Sequence, residues 1–150
     1  MKNLIAISAL LVSGLAFSAG FTDLEKVEVK AEESKVVWLG KKVTGQHTGE
    51  VKVLKGHLNF KGDTLSAGEF EIDMSSITNT DITDQEYHKK FIDHMNSADF
   101  FDTAKYKTAT LKIKSAKKVK DNHYKIAAAL TIKGKTAPIN FEADVTKEKS

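Results

Sequence analysis

Histidine and carboxylate are the side chains in this sequence that could carry acid–base or metal chemistry, and their spacing supports neither. The five histidines are His47, His57, His88, His94 and His123. They form no His-Glu-x-x-His run and no pair four apart, and His88 and His94, six apart, would sit on different faces of a helix. The expectation is therefore structural or solvated histidines and no metal site. His47 falls within Gly45-Gln46-His47-Thr48-Gly49, read as a glycine-flanked bend where its ring could hydrogen-bond the backbone, and His94 could do the same at a helix end. The carboxylates Asp73, Asp81, Asp84, Asp93, Asp99 and Asp102 contain no pair that spacing singles out for glycoside chemistry. Several border turns, where Asp bonds nearby amides. With no Gly-x-Ser-x-Gly turn, a nucleophilic serine is not expected either. The reading is a protein without catalysis and without a cofactor; its competitor is an enzyme holding a metal between His47, His94 and Asp73.

Composition narrows the partners. All 23 basic residues are Lys, set against 20 acids in 150 residues, for a net charge of +3. So small a surplus does not imply a polyanion. The absence of Arg removes the planar fork that reads phosphate or guanine bidentately, so nucleic acid is excluded as a partner. There is no cysteine, hence no lipid-attachment site and no disulfide, and stability must come from the core.

The elements that would position these residues are strands. From Lys35 onward apolar residues recur at every second position: Val36 and Trp38, Val51 and Val53, Leu58 and Phe60, then Phe70, Ile72 and Met74. The pattern returns at Leu111 and Ile113, along Tyr124, Ile126, Ala128, Leu130 and Ile132, and at Ile139, Phe141, Ala143 and Val145. Period two marks half-buried strands. Gly45, Gly49, Gly56, Lys61-Gly62-Asp63, Lys120-Asp121-Asn122 and Gly134 are read as the breaks between them, which predicts about seven strands in an antiparallel meander. Pro138 opens the last strand pattern, where a missing amide donor does least harm. One segment departs from the alternation. Thr83-Asp84-Gln85-Glu86 reads as a capping box, and Tyr87, Phe91 and Met95 fall four apart behind it, predicting one short helix with an apolar stripe that plugs or flanks one end of the barrel. In Asp99-Phe100-Phe101-Asp102 at least one of the two aromatics should bury.

The N-terminus is read as a leader. Lys2 is followed by the apolar run Leu4 to Leu15 and the small-residue stretch Ala16-Phe17-Ser18-Ala19-Gly20, the pattern of a signal peptide cleaved after Ala16 or Ser18. The run is about a dozen residues where a spanning helix needs about 20, so no permanent membrane anchor is expected. Residues 1–19 are assigned to the signal peptide and 20–150 to a single exported domain; roughly 130 residues are enough to bury a core.

Read in order, several segments look like the YceI-like family: Ser34-Lys35-Val36-Val37-Trp38, the His47 segment, Phe70-Glu71-Ile72-Asp73-Met74 with Ser76-Ile77, His94 with Ser97 to Asp102, Thr108-Ala109-Thr110, and Leu130-Thr131-Ile132-Lys133-Gly134. The resemblance covers nearly all of the chain beyond the leader. It implies a mainly β, lipocalin-like antiparallel β-barrel with one short helix, periplasmic, holding a polyisoprenoid or similar amphiphilic lipid in an elongated apolar pocket. Two departures stand out. Lys107 follows Tyr106 where the family commonly has proline, and family members continue for some tens of residues past the equivalent of Ser150. The expectation is a fragment, or a barrel incomplete at its C-terminal edge, and an unpaired edge invites a homodimer.

On that reading the ligand wall is formed by Val36, Trp38, Leu58, Phe60, Phe70, Ile72, Met74, Leu111, Ile113, Leu130, Ile132 and Phe141, with Phe91, Met95, Phe100 and Phe101 covering one mouth. A barrel of about eight strands is wide enough either to be filled by its own side chains or to hold one small ligand. Periodicity alone therefore leaves a solid-core structural or interaction barrel as the alternative.

Overall fold

The computed structural model describes residues 24–146; the leader expected over 1–19 lies outside the described residues. Seven antiparallel strands and one α-helix make up the described chain: β1 Leu24–Glu28, β2 Val36–Lys42, β3 Gly45–Lys61, β4 Thr64–Asp73, α1 Gln85–Asn96, β5 Thr108–Lys120, β6 His123–Ile132 and β7 Lys135–Asp144. Neighbours pair in the order β1-β3-β4-β5-β6-β7, and β2 also pairs with β3. Because β3 is 17 residues long, β1 occupies one edge beside its C-terminal half, with Val27 opposite Leu58. β2 lies beside its N-terminal half, with Trp38 opposite Gly49. Among the described residues no ladder joins β7 back to β1 or β2, so the sheet is not closed by hydrogen bonds.

Register puts the predicted apolar set on one face. Phe70 lies opposite Leu111, Leu111 opposite Leu130 and Ile113 opposite Ala128, and Ile126 opposite Phe141. Irregularities in register at Val53/Lys55, Asn59/Phe60 and Ile113/Ser115 bend the strands, as bulges do. The curl is strong enough for the Tyr124 hydroxyl of β6 to approach the Leu65 amide of β4 at 3.4 Å. The tight connections fall at Gly62, Asp121 and Lys133-Gly134, all at positive φ.

Three details correct the sequence reading. Gly49 and Gly56 do not break strands but lie inside β3. A Cβ at Gly49 would collide with the Thr78 carbonyl oxygen and stand 2.7 Å from Trp38 Cζ2, so glycine here serves close approach rather than a turn. His47 accordingly sits in a strand, not a bend. The helix cap is Asp84, whose carboxylate accepts from the Tyr87 amide at 2.7 Å, in place of the expected Thr83; Asp stands above Thr among capping residues. Pro138 lies within β7 opposite Ala129, tolerated because β7 is an edge strand.

Candidate functional site

The interior is divided into a packed end and an open end. Phe60, Leu65, Ile113, Tyr124, Ile126 and Ala128 form a buried cluster, with Leu58, Phe70, Leu111 and Phe141 packed against it. Tyr124 and Leu65 leave only 2% and 1% of their surface exposed, and density of this kind leaves no room for a guest. The gaps that admit these side chains are glycines: a Cβ at Gly56 would meet Phe70 Cδ1 at 2.8 Å, and one at Gly68 would meet Leu58 Cδ2 at 2.8 Å.

The other end encloses a cavity of about 690 Å³, within the range of about 300–1,000 Å³ usual for small-molecule sites. Its walls come from β2 (Val36, Trp38), β4 (Ile72), β6 (Leu130, Ile132) and the turn residue Met74. Phe91 and Met95 of α1 and the following Phe100 and Phe101 cover it. Of the sixteen residues assigned to the wall and mouth from sequence, these ten are gathered at the cavity. Leu58, Phe60, Phe70, Leu111, Ile113 and Phe141 lie instead in or against the packed cluster. Alternation identifies an inward face but not how far along the barrel the filling extends. Sequence reasoning did not assign Leu39, His47, Val51, Ile77, His94 and Ala109 to the cavity, nor Lys41, Lys42 and Gln46 at its mouth. Val51 shared the alternation and was the most accessible of these to that reading.

The cover is held by aromatic packing and a polar latch. Phe91 stacks on Trp38 with ring centroids 6.2 Å apart and planes 16° apart, and the His47 ring lies 4.9 Å from Phe91. Phe100 and Phe101 meet edge to face at 4.6 Å; Phe100 stays 43% exposed and Phe101 is only half-buried, so neither is buried outright where at least one was expected to be. The segment entering α1 is bonded along β2 and β3. Trp38 Nε1 donates to the Thr78 carbonyl at 2.9 Å, the Thr78 amide to Glu50 O at 2.9 Å, and the Thr80 amide to Thr48 O at 3.0 Å. Asp81 collects the His47 Nδ1, the Thr48 amide and the Asn79 side-chain amide at 2.9, 2.9 and 2.6 Å. The backbone donor from Thr48 first, then His47, holds its carboxyl down at about 2, since hydrogen bonds to the charged form favour it.

Among the described residues no group of three or more His, Asp or Glu could hold a metal ion. Asp73, placed with His47 and His94 in the competing enzyme reading, instead caps the turn after β4 by accepting from the Ser75 amide and hydroxyl. No helix among the described residues is long and apolar enough to cross a membrane.

Comparison with known proteins agrees with this architecture. The family described as the YceI-like domain matches residues 28–150. The crystal structure of Burkholderia cenocepacia BcnA superposes with a TM-score of 0.66 at 24% identity, covering 81% of this chain and 73% of that one. A mutant CJ YceI protein solved with a monobromobimane guest matches with a TM-score of 0.48 at 16% identity, over 98% of this chain and 64% of that one. Comparison with curated proteins gave no match.

Proposed function

The chain belongs to the YceI-like family, and on that premise we propose that it is a periplasmic binding protein for a polyisoprenoid or similar long-chain amphiphilic lipid, acting without catalysis. The observation that carries this reading is the half-empty barrel: a cavity of about 690 Å³ walled by Trp38, Ile72, Leu130 and Ile132 and covered by Phe91 and Met95. Burying a methylene contributes about 0.8 kcal/mol, so about ten buried carbons give roughly 8 kcal/mol, near micromolar affinity before ordering costs. The packed Phe60–Tyr124 cluster confines the ligand tail to the end beneath α1. The N-terminal leader directs export on this reading, and the edges of β7, β1 and β2 that have no partner strand among the described residues are the surfaces through which a homodimer would form.

Trp38 is the sole tryptophan and lines the cavity, so it reports occupancy directly. Delipidated protein titrated with a prenyl quinone should show saturable quenching of tryptophan fluorescence at one ligand per chain. A strictly linear, non-saturating loss of signal would refute binding in the cavity. Export is tested separately by the mass of the chain in a periplasmic extract, which should correspond to a protein that begins at Phe17, Ala19 or Gly20. A periplasmic chain with Met1 intact would contradict the leader assignment.

A further inference from the structure

Among the described residues, the lysines that line the cavity come from one hairpin. The β2–β3 hairpin that rims it contributes Lys41, Lys42 and Gln46, and α1 contributes His94. By strand alternation Lys42 shares the face of Trp38 and Gly40. Neither lysine has an ion-pair partner among the described residues, whereas Lys35, Lys55, Lys89, Lys90 and Lys112 each have one. Among the described residues no Asp or Glu lines the cavity, in a chain with 20 of them. Asp81, the acid bonded to the cavity-lining His47, already accepts from His47, Thr48 and Asn79. Lys41 and Gln46, paired across the hairpin, lie by the same alternation on the other face, so Lys42 is the uncommitted ammonium group that faces whatever polar group a guest leaves at the entrance.

We propose that the head group this mouth receives is anionic, the phosphate or carboxylate of a long-chain amphiphile, met by Lys42 with His94 as a further donor. This rests on the lipid-binding reading above and adds to it the chemistry of the head. Lysine suits the role as a mobile point charge with three donors, and its contacts with an anion are charge-assisted. Because the mouth is open to solvent, the gain is modest and screened by salt.

The test is a comparison of farnesyl phosphate with farnesol, and of a fatty acid with its amide, on delipidated protein at low ionic strength, read by Trp38 fluorescence. The anionic member of each pair should bind about tenfold tighter, a preference that shrinks in about 0.5 M salt. In Lys42→Gln it should fall below about twofold; the position is exposed on a hairpin, so the fold is not at stake. Millimolar inorganic phosphate should not displace the bound lipid, which separates an amphiphile's head from a free anion. Equal affinity of charged and neutral members, an unchanged preference in Lys42→Gln, or displacement by inorganic phosphate each overturns the proposal while leaving lipid binding intact. Failure of every amphiphile to bind overturns the underlying reading as well.

Discussion

Asp81 is the residue on which the latch between β3 and the segment before α1 converges. Its carboxyl is held at about 2 against an ordinary 3.8, so the folded form prefers it ionised. The stabilisation is complete above the unfolded value and is lost as pH falls from about 4 toward 2. Asp81→Asn should lower the urea midpoint at pH 5.5, and the gap from the parent should close toward pH 2.5; a gap of constant size would show that the carboxylate's charge is not what matters. His123 works in the opposite sense. Asp144 and then Glu142 accept from its ring and raise its pKa above 6.5, so its contribution is full below 6.5 and is lost as pH rises through the raised value. Gly49→Ala should destabilise by about 1–3 kcal/mol in equilibrium unfolding, because its Cβ has no space between Thr78 and Trp38 and overpacking forces backbone shifts. Neither the Asp81 latch nor the Gly49 contact was visible in the sequence. His47 and Asp81 are 34 positions apart, and glycine in a strand looks the same whether it breaks the chain or admits a neighbour.

At the scale of elements, strands were legible because each shows period two, and α1 because its apolar residues fall four apart. The cap was legible as a segment but not as an atom: Thr83 and Asp84 both precede the helix, and the carboxylate of Asp84 reaches the Tyr87 amide. Asp84→Ala should cost about 0.5–2 kcal/mol, measurable as a fall in the urea midpoint. Because α1 carries Phe91 against Trp38, the same change should also speed release of a bound prenyl quinone followed by recovery of Trp38 fluorescence. An altered midpoint with unchanged release would mean that α1 does not gate the cavity. The joining of β3 into one strand through Gly49 and Gly56 escaped the sequence for a related reason: both glycines interrupt the apolar alternation without interrupting the pairing.

For the whole molecule the sequence indicated a barrel and left open whether it was solid. Both answers hold, each at one end. Ile113, inward by period two, is buried in the packed cluster, while Ala109, four residues earlier on the same strand and face, lines the cavity. What separates them is the filling supplied by Phe60, Leu65 and Tyr124 from distant strands, information that no local pattern carries. Ile113→Ala should therefore destabilise by about 2–5 kcal/mol. Ala109→Phe, at a position only 2% exposed, should cost about 1–3 kcal/mol by overpacking and, by placing a ring against the cavity, should weaken prenyl quinone binding by at least tenfold. The most direct measurement is native mass spectrometry of delipidated protein mixed with a prenyl quinone, the parent beside Ala109→Phe. One quinone per parent chain and none on the variant is the predicted result; a parent that carries no bound species at any ratio, or a variant that binds as well as the parent, would contradict it.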